Sequence, residues 1–115
     1  MSWRQDLTQG LKTVASIYQM NFMPTPHDFD KSTERFFKPW HWVDETKEQG
    51  EYDSEGAKHG RVVTIDQNSF FFGWYDHDVK HGKYVYFSAY FRTLQVERYA
   101  NGVRDGPYQR YKMDG

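Results

Sequence analysis

The densest group of metal-ligand types in this chain is Asp76-His77-Asp78 followed by His81, and the chain holds five histidines in all. Imidazole and carboxylate together suit first-row divalent metals. This spacing, however, is not that of a known ligand set. On a strand, neighbouring side chains point to opposite faces, so Asp76 and Asp78 would share one side while His77 faced the other. His59 and His81 also hold equivalent places in a repeated pattern, and a shared place is better explained by turn structure than by ligation. No metal site is expected.

Nucleophilic or acid–base catalysis needs an activated nucleophile or paired carboxylates in a cleft. The chain has no cysteine, and none of Ser2, Ser16, Ser32, Ser54, Ser69 and Ser88 sits in a Gly-x-Ser-x-Gly turn. It also lacks a phosphate-cradling glycine loop. Asp44, Glu45 and Glu48 read as a solvated stretch ahead of the repeats. The expectation is a protein with no catalytic residue and no cofactor.

The elements that would position these groups are announced by a six-residue pattern written three times. The copies are Glu55-Gly56-Ala57-Lys58-His59-Gly60, His77-Asp78-Val79-Lys80-His81-Gly82 and Asn101-Gly102-Val103-Arg104-Asp105-Gly106. Their closing glycines lie 22 and 24 residues apart, a near-constant period that marks a repeat architecture. Each copy puts tolerant residues where a tight turn needs positive φ: Gly56, Asp78 and Gly102, then Gly60, Gly82 and Gly106. Runs of β-branched and aromatic residues flank the turns. Arg61–Ile65, Lys83–Phe87 and Pro107–Tyr111 follow them, and Phe70–Tyr75 and Leu94–Tyr99 precede them. Each repeat therefore reads as a β-hairpin.

Residues 50–115 resemble the MORN repeat family on Lys58-His59-Gly60, Lys80-His81-Gly82 and Arg104-Asp105-Gly106, with aromatics upstream at Tyr52, Trp74, Tyr75 and Tyr99. The third copy is the nearest to the family pattern, and the short form found in bacterial repeat proteins is the most similar. The resemblance implies an elongated single-layer meander of stacked hairpins. The fuller family form has a second glycine two positions later, where this chain has Val62, Tyr84 and Tyr108. A lipid-binding role is therefore not carried over.

The first half is organised differently. Ser2 and Gln5 have capping-box spacing, and Trp3, Leu7, Leu11, Val14 and Tyr18 recur at helical steps, which predicts an amphipathic helix over residues 1–20. Residues 21–49 read as an extended arm, in which Pro24, Pro26 and Pro39 oppose helix and the many aromatics are unlike a solvated linker. One short helical turn at Asp30–Arg35, capped by Asp30 or Ser32, and an edge strand at Trp40–Val43 are expected within it. The helix and the arm could cover the protein's own sheet or dock on a partner, and the sequence does not choose.

Composition narrows the function. Across 115 residues the formal charge is -1, too small a bias to draw the chain to nucleic acid. No stretch approaches the roughly 20 apolar residues of a membrane span. The N-terminus also lacks the apolar centre of a secretory signal. With 19% aromatic residues, the core must be largely aromatic. Lys58, Lys80 and Arg104 should form a ladder along one edge, read first as charge protecting turns and edges. An acidic partner or a phosphate surface is the alternative.

The reading is thus a mainly β protein: an antiparallel meander of three MORN-like hairpins with an N-terminal amphipathic helix and an extended aromatic arm. It implies a non-catalytic scaffold, an accessory subunit held in a larger assembly. Its partners would be proteins, with no nucleic acid and with membrane contact only through a partner. The compartment would be intracellular, either the cytoplasm or an organelle such as the mitochondrion. A small-ligand or glycan-binding β-domain is the alternative. The expected contact residues are Trp3, Phe22, Phe29, Phe36, Phe37, Trp40 and Trp42 from the first half, with Phe71, Trp74, Tyr84 and Tyr86 from the central hairpin. Alternation along that hairpin should leave only about half of its residues for binding.

Overall fold

The computed structural model describes residues 25–66, 69–88, 90 and 92–112. Their fold is mainly β, with strands β1 (Phe36–Val43), β2 (Thr46–Tyr52), β3 (Lys58–Ile65), β4 (Ser69–Asp76), β5 (Val79–Ser88), β6 (Thr93–Ala100), β7 (Val103–Arg104) and β8 (Gln109–Lys112). They form one antiparallel sheet in the order β1-β2-β3-β4-β5-β6-β7. β8 also pairs with β6, so β7 and β8 divide one flank of that strand between them. The helix expected over residues 1–20 and the arm residue Phe22 lie outside the described residues. No helix among the described residues is long and apolar enough to cross a membrane.

Turn chemistry sets the meander. His77-Asp78 (φ 50° and 70°) and Asn101-Gly102 (φ 52° and 83°) are two-residue turns with both residues left-handed, the type whose twist matches antiparallel strands. The first turn is longer. There an Asp53 carboxylate oxygen accepts from the Glu55 and Ala57 amides, each at 2.9 Å, and Gly56 supplies φ 86°. Gly60, Gly82 and Gly106 also have positive φ, but they follow the turns, and Gly60 and Gly82 lie within β3 and β5. At Gly82 a Cβ would stand 2.6 Å from Cγ of Pro26, because the 25–33 segment crosses there.

Period-2 alternation divides the aromatics between two faces. Phe70, Phe72, Trp74, Val85, Phe87 and Leu94 pack together on one, where Phe29 joins them from outside the sheet. Val62, Tyr75 and Tyr84 pack on the other with Phe71, Tyr86 and Tyr99. Register makes the ring pairs: Phe70 opposes Phe87 and Phe71 opposes Tyr86, with stacked centroids 4.9 and 5.4 Å apart.

Three expectations for the first half need correction. Asp30–Arg35 is not a helical turn. The Asp30 carboxylate does cap, accepting from the Ser32 amide and from the Ser32 and Thr33 hydroxyls, but it closes a side-chain turn that runs straight into β1. The sheet begins at Phe36 rather than Trp40, so residues 36–43 and 46–49 of the expected arm are strand. Glu48 is not solvated. It is 5% exposed, because pairing in β2 turns it towards Tyr52 and Thr64. β1 is the edge, as expected for Trp40–Val43, and Pro39 sits where its register with β2 shifts, between Lys38 and His41.

Candidate functional site

The repeated histidines join one hairpin to the next. His59, fully buried, accepts the His77 amide on Nδ1 (3.2 Å) and donates from Nε2 to the Asp30 carbonyl (2.9 Å). His81 repeats this one hairpin later, accepting the Asn101 amide on Nδ1 (3.4 Å) and donating from Nε2 to the Asp28 carboxylate (2.6 Å). Accepting on Nδ1 fixes the proton on Nε2 in both rings. The backbone repeats the link, with the Asp78 amide on the Lys58 carbonyl and the Gly102 amide on the Lys80 carbonyl. In the third copy Asp105 stands in the histidine's place, and among the described residues no further turn offers it an amide.

His77 draws acids from three places. Its Nδ1 is 3.2 Å from Asp53 in the first turn, and its Nε2 is 3.3 Å from Asp30 and 3.6 Å from Asp76. Hydrogen bonds to Asp30, then Asp53, raise its pKa above the ordinary histidine value. Asp30 lies well below the carboxylate range, held by Ser32 first and then by His77 and Thr33. Asp28 is lowered by its bond to His81. For Asp53 burial acts upward, but the Ala57 amide, His77 and the Glu55 amide outweigh it. The strand argument that put His77 opposite its neighbours fails for a simple reason: His77 and Asp78 are the turn itself, where alternation stops.

A second polar cluster lies under β1. Glu48 accepts from the Tyr52 hydroxyl (2.7 Å) and the Thr64 hydroxyl (3.2 Å), and Lys58 Nζ stands 3.3 Å away. Burial, then Glu48, pushes the Tyr52 hydroxyl far above its ordinary value. Glu48, Tyr52 and Lys58 of this cluster line an open groove of about 780 Å³, a volume within the small-molecule range, together with the apolar Phe36, Phe37, Trp42 and Val43.

Among the described residues, the expected contact residues fall into three groups. Phe29, Trp74 and Tyr84 are buried in the core, so they offer no surface. Phe71 and Tyr86 are half-buried on the tyrosine face. Phe36, Phe37, Trp40 and Trp42 are exposed along β1, with Phe37 at 67% and Trp42 at 62%. Trp3 and Phe22 lie outside the described residues. The repeat cations do not stand free along an edge. Lys58 lies over Tyr75 (4.9 Å), Lys80 over Tyr84 (4.1 Å) and Tyr99 (4.8 Å), and Arg104 over Tyr108 (5.0 Å).

Sequence reasoning missed Glu48, Asp53 and the role of the 25–33 segment. The available signal was Asp53 itself, since an Asp opening a glycine-bearing loop commonly binds its own backbone. No family model matches the chain, and neither a curated protein nor a solved structure matches it.

Proposed function

We propose that this chain is a non-catalytic interaction protein of the MORN-like hairpin-repeat type, an accessory structural subunit of a larger intracellular protein assembly. The observation that carries this reading is the β1 edge, where Phe36, Phe37, Trp40 and Trp42 present large aromatic surface to solvent. Aromatic anchors of this kind dominate interface energies, and contiguous exposed apolar surface marks contact sites. The repeat-type reading is supported by the equivalent positive-φ positions and by the histidine link that recurs from copy to copy. Residues 1–20, on the spacing of Trp3, Leu7, Leu11, Val14 and Tyr18, would add a helix to the same contact. The test is co-purification of the full chain from its native source, followed by the double variant Phe37→Ala, Trp42→Ala. A stoichiometric protein partner lost in a variant of unchanged circular dichroism is the expected result. A partner-free wild type, or a variant that keeps its partner, overturns the reading.

One observation favours a second reading, a small-ligand or glycan-binding domain: the groove sets Phe36, Phe37 and Trp42 beside the Glu48–Lys58 pair. Aromatic faces suit sugar rings, and a carboxylate suits their hydroxyls. Thermal stabilisation by an oligosaccharide, lost in Glu48→Gln, would favour it over the scaffold.

A further inference from the structure

We infer that Asp30, His59, His77 and Asp76 form a binding site for one divalent metal ion of the zinc class, tying the 25–33 segment to the turn between β4 and β5. Asp30, His59 and His77 each bring a ligand atom within 4.8 Å of the others. Asp76 Oδ1 stands 3.6 Å from Nδ1 of His59 and 3.6 Å from Nε2 of His77, and that Nε2 is 3.3 Å from Asp30 Oδ2. Zinc bonds to nitrogen and oxygen are about 2.0–2.2 Å, which makes the edge of a tetrahedron about 3.3–3.6 Å. Three of the six edges of that set already have that length.

The outer contacts of the rings point the same way. A metal-bound histidine usually gives its other ring N–H to a carboxylate or a backbone carbonyl, which fixes the tautomer and the ring plane. His77 turns Nδ1 to Asp53, which is buried and is held in turn by the Glu55 and Ala57 amides. His59 gives Nε2–H to the Asp30 carbonyl. Both rings therefore have the outer partner, and in both the opposite nitrogen lies within 3.6 Å of a carboxylate oxygen. The 3.2 Å bond from the His77 amide to Nδ1 of His59 is long, and ligation would exchange it for the metal. Two carboxylates in the inner set balance a divalent charge, and imidazole with carboxylate selects a zinc-like ion over magnesium or calcium. This site is independent of the interaction reading and implies no catalysis.

The experiment is calorimetric titration of the chelator-stripped full chain with zinc chloride, repeated with cobalt(II), whose tetrahedral complexes absorb intensely in the visible. One equivalent should bind, with the cobalt band, and magnesium and calcium should not compete. His77→Asn, which keeps a residue tolerant of positive φ, and Asp30→Asn, at a half-exposed loop position, should each weaken binding at least tenfold with circular dichroism unchanged. Asp53→Asn should weaken it about 10- to 100-fold. His27→Ala and His41→Ala should leave it unaltered. Affinity should fall as pH is lowered, because protons compete with the metal for the imidazole nitrogens. No saturable zinc binding, or full binding kept by both His77→Asn and Asp30→Asn, overturns the site and leaves a proton-held latch.

Discussion

The turn end of the sheet and its β1 edge use the same kinds of residue and finish them in opposite ways. At the turn end Phe29 stacks on His59 at 4.7 Å and meets Trp74 edge-on at 5.1 Å, and each ring is covered. Along β1, Phe37 and Trp42 stand two-thirds open, with Lys47 over the Trp42 ring. Neighbours make the difference. The turn end has the next hairpin's amides on one side and the 25–33 segment on the other, whereas β1 has a strand on one side only. Aromatic content alone therefore does not say which surface is core and which is available for contact.

The largest effect should come from removing the ring at the centre of the turn end. His59→Ala would leave a cavity beside Phe29, the His77 amide without its acceptor and the Asp30 carbonyl without its donor. Urea denaturation should show a loss of about 3 kcal/mol. A loss below about 1 kcal/mol would mean that the turn end is no more fixed than the edge. The glycines sharpen the contrast within the repeats. Gly106→Ala, with open space around it, should cost about 1 kcal/mol of left-handed strain. Gly82→Ala, which must also push Pro26 aside, should cost about 2 kcal/mol or more in the same assay. Equal costs would show that the segment is not seated.

Proton linkage gives a smaller effect with a definite sign. His77 has a raised pKa, so its contribution is complete below about pH 6.5 and fades as pH rises through the raised value. Asp30 has a lowered pKa, so its contribution is present above about pH 3.9 and is lost as pH falls through the lowered value. Metal-free protein should therefore draw most from this pair between about pH 4 and 6.5. In His77→Ala the alkaline decline should flatten, and an unchanged profile from thermal melts would remove His77 from the account. The smallest effect belongs to the edge. Phe37→Ala or Trp42→Ala should change stability by no more than about 0.5 kcal/mol while impairing partner binding. A larger loss of stability would make β1 part of the core.

Much of the sheet was legible because its rules are local. Runs of β-branched and aromatic residues placed β4, β5 and β6, and tolerant residues at Asp78 and Gly102 placed their turns. The polar sites were harder to read for two physical reasons. Glu48 acquires its partners from Tyr52, Lys58 and Thr64, and only the β2–β3 register brings Thr64 beside it. His77 gains Asp30 from 47 residues away, through a backbone conformation that ends strand periodicity. Likewise, nothing in the Asp30–Arg35 composition says that Asp30 will cap a bend instead of a helix, since the outcome depends on β1 pairing just beyond it.

Asp105 gives the histidine relay a grammar. Copies followed by another hairpin carry a residue that reads the next turn's first amide, and the copy with no turn after it among the described residues carries one that does not. Coupling of this nearest-neighbour kind makes a hairpin meander extensible one unit at a time. Splicing a duplicate of residues 77–100 in after Ala100 would add a hairpin whose His81-type ring meets the old Asn101 turn, while the original His81 would greet the new one. Appending a hairpin after Gly106 instead would call for Asp105→His, because the array would otherwise lack a reader at its newest joint.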